Sequence, residues 1–392
     1  MNKPTARRKY LGRLERNIFV LGWVSFFTDA STEMIYPLLP LFLSNVLGAP
    51  TTVIGLIEGV AESTASLLKV FSGWFSDRIG RRKELVLAGY GLSNVVKPML
   101  SLATTWPHVF LIRFTDRLGK GVRTSPRDAI IADSAPAAVR GSSFGFHRAM
   151  DTAGAAAGPL TAFLLLPLLQ GNYRHLFFLS LIPGAIAVAL VAILVREKGP
   201  RDRIAAELPR LSLKPFNRQF KLFLLAVLFF TLGNSSDAFL ILRAQNAGVT
   251  AALIPLLWLL FNMVYSLSSW PAGILSDRVG RRALIVSGYL IFALVYLGFA
   301  LVQSAWQVWG LFVLYGLYYG ATEGVQRAYA ADLVPAHLRG TAYGIYHTAT
   351  GLALFPASFV AGVLWQTVGV FAPFVYGASM ALGACLIFIT LL

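Results

Sequence analysis

Gly73-Trp74-Phe75-Ser76-Asp77-Arg78-Ile79-Gly80-Arg81-Arg82 returns two hundred residues later as Gly273-Ile274-Leu275-Ser276-Asp277-Arg278-Val279-Gly280-Arg281-Arg282. Self-similarity at a fixed offset marks a duplicated unit, and the offset sets its size at half the chain. A second pair agrees: Ala132-Asp133-Ser134-Ala135-Pro136 followed by Arg140-Gly141 matches Ala331-Asp332-Leu333-Val334-Pro335 followed by Arg339-Gly340. Each decapeptide lies between long apolar segments. Two repeats related by an axis along the membrane normal are a transporter architecture, with the solute site near the midplane at their interface.

Working outward, the 392 residues are 56% hydrophobic and only 13% charged, where a soluble domain carries about a quarter. Twelve apolar segments of about 20 residues can be drawn. They run near 17–44, 52–76, 84–104, 107–133, 142–169, 174–195, 221–243, 252–276, 283–303, 306–331, 341–366 and 371–391. The first is too long for a signal h-region and has no small-residue cleavage site after it, so it reads as a retained helix. The formal net charge of +16 sits mainly in alternate connections, so it reads as a topology signal and not as a nucleic-acid footprint. Residues 1–16 hold six Lys/Arg against one Glu, and 196–221 hold eight against three acids, whereas 45–51, 104–106, 302–305 and 367–370 hold no charge. Positive loops stay inside, which predicts cytoplasmic termini and decapeptides. The domain reading is a bundle over 1–195, a linker over 196–220 with Pro200, Pro209 and Pro215, and a bundle over 221–392. Cys385 stands alone and forms no intrachain disulfide.

Ionisable side chains within spans are costly and by default mark a pathway, a relay or a buried pair. Segment 1 carries Asp29 and Glu33; segment 2 carries Glu58, Glu62 and Lys69. Segment 4 carries Arg113, Asp116, Arg117, Lys120, Arg123, Arg127 and Asp128, and segment 5 carries His147, Arg148 and Asp151. Segment 7 adds Asp237, segment 10 Glu323 and Arg327, and segment 11 His347. Segments 6, 9 and 12 have none inside, and segment 3 has only Lys97, whose long stem is expected to snorkel. Every third segment is thus nearly charge-free, as expected if 3, 6, 9 and 12 face lipid around a polar cavity.

The pattern G-x-x-x-D-R-x-G-R-R between two spans resembles the signature loop of the major facilitator superfamily. The resemblance implies an all-α integral membrane fold with twelve transmembrane helices in two pseudo-symmetric six-helix bundles around a central cavity. It also implies that segments 3, 6, 9 and 12 are the outer helices, in line with the charge pattern. It gives the decapeptide the role of a conformational latch on Gly73, Asp77, Arg78, Gly80, Arg81, Asp277, Arg278 and Gly280. Gly145, Gly154 and Gly158-Pro159 resemble the family's antiporter motif, although Ala162 and Phe163 stand where it has two glycines. The alternative is a close-packing face bent at Pro159, so the motif gives a lean toward export only.

Asp29/Glu33 and Glu58/Glu62 are each four apart, hence on one helical face. A poorly hydrated carboxyl can carry a proton, which makes these four the proton-coupling set, unless each pairs permanently with an arginine. Arg113, Arg117 and Lys120 share a face of segment 4, where five basic residues over 113–133 outnumber three acids. With Arg148, Asp237 and Glu323 they form the expected substrate-binding set, Arg117 and Arg148 being expected in direct contact. The surplus points to an anionic solute, since guanidinium holds carboxylate or phosphate through two parallel bonds. An internally paired network is the competing reading, and Glu323/Arg327 reads as a structural pair. His147 and His347 read as packing residues or relays. Trp258, Tyr265 and Tyr346 read as lipid belt or core.

No metal-ligand cluster, nucleophile motif or nucleotide fingerprint appears in the sequence, so no enzyme, metal or cofactor is expected. The expectation is a monomeric, proton-coupled secondary transporter of the bacterial inner membrane, whose partners are a small anionic solute, protons and the lipid bilayer, with no nucleic acid. Two alternatives stand beside it. One is a multidrug/H+ antiporter with a loosely apolar site. The other is a non-transporting membrane receptor or scaffold.

Overall fold

Within lipid a backbone can satisfy its polar groups only as a helix or a closed barrel, and this chain takes the helical solution. The computed structural model describes residues 15–79, 81–135, 140–197, 212–335 and 338–392, apart from the side chains of Asp77 and residues 140–142. The basic stretch 1–14, the linker portion 198–211, Gly80 and the Asp77 side chain therefore lie outside the described residues. The helices are α1 (Arg16–Glu33), α2 (Thr51–Ile79), α3 (Arg82–Val96), α4 (Trp106–Ser134), α5 (Arg140–Leu168), α6 (Tyr173–Leu179) and α7 (Leu181–Leu194). They continue with α8 (Arg218–Gly233), α9 (Ala238–Asn246), α10 (Ile254–Val279), α11 (Arg281–Leu301), α12 (Ala305–Asp332), α13 (Arg339–Thr367) and α14 (Ala372–Leu391). Short helical turns fill 36–46 and 97–102.

Among the described residues, nine helical stretches are long and apolar enough to cross a membrane. α2, α4 and α12 match them in length, at 29, 29 and 28 residues, but carry several charged side chains along their length. Helix starts use ordinary chemistry. Asn172 Oδ1 accepts from the Arg174 and His175 amides, Asn217 Oδ1 accepts from the Phe220 amide, and Ser304 and Gln307 form a capping box.

The chain divides into two compact units. Unit 1 comprises Met1–Ile35, Leu68–Ala103 and Leu111–Leu208; unit 2 comprises Tyr36–Leu67, Thr104–Phe110 and Pro209–Leu392. Unit 1 has an aliphatic core of Ile18, Leu21, Val24, Val86, Ile131 and Val191. In it α5 lies against α1 because Gly154 and Gly158 lack a side chain: a Cβ there would stand 2.3 Å from the Phe26 carbonyl and 2.7 Å from that of Ala30. Gly145 of the same motif meets nothing within 4 Å, so only part of the motif is a packing face.

Unit 2 is built on rings. Phe230 stacks on Tyr289 at 3.9 Å, Phe292 on Tyr296 at 3.9 Å, and Phe299 on Phe374 at 5.7 Å. Also within unit 2, the first half of α2 lies along α13. A Cβ on Gly55 would fall 2.2 Å from the Ser358 carbonyl. Ser63 Oγ donates to the Gly351 carbonyl at 2.6 Å and Thr51 Oγ1 to that of Gly362 at 3.2 Å. This seam joins residues of the first sequence repeat to residues of the second.

Candidate functional site

The first helix of each repeat is interrupted at matching places. α1 stops at Glu33 and re-forms as tight turns from Tyr36, where Pro37 lacks an amide and biases its predecessor away from helix. Two hundred residues on, α8 stops at Gly233 and α9 begins at Ala238. There Asn234, Ser235, Ser236 and Asp237 compete with the backbone for hydrogen bonds. The freed groups are used: the Ser236 amide donates to Ser358 Oγ at 3.1 Å, and Asp237 Oδ1 accepts from the Tyr315 hydroxyl at 2.6 Å.

In unit 1 charged side chains of α1, α4 and α5 and of the turn after α3 lie together. Asp29 lies within hydrogen-bonding reach of Asp151. Asp151 also accepts from Ser25 Oγ at 2.6 Å and from Arg148 Nη1 at 2.9 Å. Two carboxyl groups this close can share a proton. Deeper in, Arg113 pairs with Asp116 at 4.0 Å, and Arg123 donates to Ser93 Oγ at 2.6 Å with its guanidinium 4.5 Å from the Tyr90 ring centre. Arg127 pairs with Asp128 at 2.8 Å.

Lys97 corrects the sequence reading. It does not snorkel but is 5% exposed, and its Nζ donates to Ser31 Oγ at 2.8 Å and Thr32 Oγ1 at 3.1 Å in the last turn of α1. A cation is favoured at a helix C-terminus, so Lys97 steadies the end at which α1 breaks. Its fixed polar partners and the charge of Asp116 make the buried position affordable, which an outer, lipid-facing helix would not.

In unit 2 the acids sit among phenols. Asp237 takes the Tyr315 hydroxyl, and Glu323 takes both the Tyr265 hydroxyl and Arg327. Trp258 is 4% exposed and Tyr265 bonds Glu323, so these two do not belong to a lipid belt. Glu58 is buried and Glu62 half-buried on α2. Asp29 and Glu33 therefore belong to unit 1, Glu58 and Glu62 to unit 2. Likewise Arg113, Arg117, Lys120 and Arg148 belong to unit 1, Asp237 and Glu323 to unit 2.

Each decapeptide gives one arginine to the aspartate of the second repeated stretch, from its tenth position in the first copy and its ninth in the second. Arg82, the first residue of α3, pairs with Asp133; Arg281, the first residue of α11, pairs with Asp332 at 2.9 Å. Asp277 closes with Arg281 at 3.7 Å in the last turn of α10 and not at a helix start. Gly280 has φ +93°, a conformation glycine adopts without strain. Arg78 lies 5.5 Å from the Trp74 ring centre, and Arg81 pairs with Glu84 at 3.3 Å. Glu197 accepts from the Arg82 and Lys83 amides at 2.6 and 3.1 Å, a carboxylate on the positive end of α3.

The sequence pattern of the Major Facilitator Superfamily matches residues 21–358. The chain belongs to the Major Facilitator Superfamily. An uncharacterized MFS-type transporter of Methanocaldococcus jannaschii is 37% identical over 384 residues, 96% of this chain and 95% of that protein. The multidrug resistance protein MdtG of Escherichia fergusonii is 24% identical over 319 residues, 78% of this chain and 77% of that one. The crystal structure of the nucleoside transporter NupG superposes with a TM-score of 0.81 at 12% identity, covering 95% of this chain and 99% of that one, a likeness of fold alone.

As a member of the superfamily the protein is an integral membrane transporter with the MFS fold. Within that frame, the expected site included Asp29 but not its partner Asp151, and the expected latch residues included neither Arg82 and Arg281 nor the acids they meet. Asp133 and Asp332 had a visible signal, since both stand in the second repeated stretch. The rings around Asp237 had a weaker one, the four-residue spacing of Tyr315, Tyr319 and Glu323. No group of three metal-ligating side chains occurs among the described residues.

Proposed function

We propose that the protein is a proton-coupled secondary transporter that works by alternating access and moves a small organic solute. The Asp29–Asp151 carboxyl pair, held by Ser25 and Arg148, carries this reading. Arg148 balances one negative charge on the pair. If a solute anion takes Arg148, the carboxyl left behind is neutralised by a second proton, so anion and proton occupancy become linked. An anionic solute is further supported by the buried charge of unit 1, where Lys97, Arg113, Arg117 and Arg123 stand against Asp116. Arg148, Arg117, Lys120 and Arg113 are the proposed solute contacts, and Glu33, Glu58 and Glu62 complete the proton set with Asp29. The decapeptides act as latches between states. The moving bodies are 1–195 and 221–392, joined by the linker 196–220, and the α2–α13 seam would part when they rock. The helix-5 glycines support export. The loop charges support cytoplasmic termini in a bacterial inner membrane, with the protein acting as a monomer.

In proteoliposomes, Asp29→Asn and Glu33→Gln are expected to abolish flux driven by a pH gradient while solute counterflow persists. Unchanged pH dependence in both single variants and in the double variant would refute the assignment.

One observation favours a second reading, a multidrug exporter with a largely apolar site. The acids of unit 2 are set in aromatic surface, and relatives of this chain are named multidrug resistance proteins.

A further inference from the structure

α10 and α12 come unusually close in unit 2. Gly316 and Gly320 allow it: a Cβ on Gly320 would lie 2.1 Å from Ser268 Oγ, and one on Gly316 would lie 2.9 Å from Val264. The approach sets side chains at i, i+4 spacing from both helices against one another. Phe261 and Tyr265 of α10 meet Tyr315 and Tyr319 of α12. Ring centres lie 5.3 Å apart for Phe261–Tyr315, 5.3 Å for Phe261–Tyr319, 5.6 Å for Tyr265–Tyr319 and 5.1 Å for Tyr315–Tyr319. Phe261 and Tyr315 are buried behind, whereas Tyr265 and Tyr319 are half-buried and open one side of the patch. Both carboxylates at its edge are half-buried too, and each accepts a phenol hydroxyl: Asp237 from Tyr315 at 2.6 Å, Glu323 from Tyr265.

Aromatic faces carry negative charge density and attract cations, most strongly where water is thin. Asp237 and Glu323 set two carboxylates at the edge of this surface, and Glu323 also pairs with the guanidinium of Arg327. The phenol bonds fix both acids at the edge of the rings. An anion would meet two carboxylates here, and a neutral hydrocarbon would strand them against apolar surface. We infer that Phe261, Tyr265, Tyr315, Tyr319, Asp237 and Glu323 form a binding site for an organic cation bearing aromatic rings, such as a quaternary ammonium or phosphonium. The inference rests on the second reading above and gives it a substrate class.

The test uses purified full-length protein in nanodiscs with tetraphenylphosphonium as the probe and tetraphenylborate as its anion of matched size. Wild type is expected to bind the phosphonium saturably and to prefer it over the borate. Asp237→Asn and Tyr319→Leu should each weaken phosphonium binding about tenfold, whereas Tyr319→Phe, which keeps the ring, should bind within about twofold of wild type. A wild-type preference for the borate overturns the site without recourse to any variant. So does unchanged phosphonium binding in folded Asp237→Asn and Tyr319→Leu protein. Proton-linked flux is scored separately. Its loss in Asp29→Asn with phosphonium binding intact supports both readings. Its absence from wild type sinks the coupling proposal and leaves the cation site standing on the binding data.

Discussion

Six charged side chains are buried among the described residues, and all but Glu58 lie in unit 1; of the twelve largest fully buried side chains, all but Phe177 lie in unit 2. The two units thus solve the same packing problem in opposite ways. Unit 1 fills its interior with aliphatic residues and a charge network whose members need one another. Unit 2 fills it with interlocked rings that need only shape. Removing one member of a buried charge network leaves others uncompensated, whereas trimming a ring costs contact area and a cavity. The difference teaches where specificity of charge can reside: unit 1 offers cations in a dry setting, and unit 2 offers acids at the edge of aromatic faces.

The sharpest way to break this comparison is Asp116→Ala. Asp116 is 4% exposed and carries the negative charge facing Lys97, Arg113, Arg117 and Arg123. Its loss is expected to cost about 3–5 kcal/mol of stability, read as a fall in the thermal unfolding midpoint in detergent. A cost below about 1 kcal/mol, the range of an exposed pair, would mean that the unit 1 charges are solvated and not a network.

Arg148→Lys asks whether the surface of that network does more than pair. Arg148 is 57% exposed and holds Asp151 at 2.9 Å. Lysine keeps the charge but loses the planar fork, so binding of an anionic solute should weaken by about 1.5–3 kcal/mol, measured by calorimetric titration. Equal binding of anions by wild type and variant would confine Arg148 to its ion pair.

Unit 2 should respond with the opposite sign at Tyr289. Its ring stacks on Phe230 at 3.9 Å, but its buried hydroxyl has no hydrogen-bond partner among the described residues. Tyr289→Phe keeps the stack and removes a stranded polar group, so stability should rise by about 1 kcal/mol. A fall in the unfolding midpoint would show that the hydroxyl is satisfied in the membrane and that unit 2 is not held by shape alone.

What the sequence made legible follows from which interactions repeat along a chain. The duplicated decapeptide, the apolar segments and the sparing of segments 6, 9 and 12 led to the superfamily fold, because spans and topology depend on local composition. Asp29 and Glu323 stood out because an ionisable residue in a span is costly wherever it occurs. Partners did not stand out. That Asp29 meets Asp151, or that Lys97 turns inward to Ser31 and Thr32, depends on how α1 lies on α5 and α3, and no spacing within one helix encodes that. The ring patch was hidden for a related reason. Tyrosine and phenylalanine are ordinary in any span, and only the glycine-mediated approach of α12 to α10 makes them one surface.

The smallest expected effect on stability falls on the arginine–aspartate pair that each unit makes at its own decapeptide. Arg82–Asp133 and Arg281–Asp332 are half-exposed pairs at helix starts, with side-chain exposures of 17% and 34%, and of 28% and 50%. Pairs of this kind contribute about 0–1 kcal/mol, so Arg82→Gln or Arg281→Gln should leave the unfolding midpoint almost unmoved. A latch need not be stable in the absolute sense; it has only to differ between states, and about 1.4 kcal/mol of difference shifts a conformational ratio tenfold. The two variants are therefore expected to slow transport while unfolding stays near wild type. Because the two pairs occupy different units, their effects on stability should add within about 0.5 kcal/mol. A double variant that unfolds far more readily than that sum would mean the pairs are coupled structural supports. A double variant that transports at the wild-type rate would exclude these two ion pairs from the latch and turn the search to Arg78, Arg81, Asp277 and Arg278 of the decapeptides.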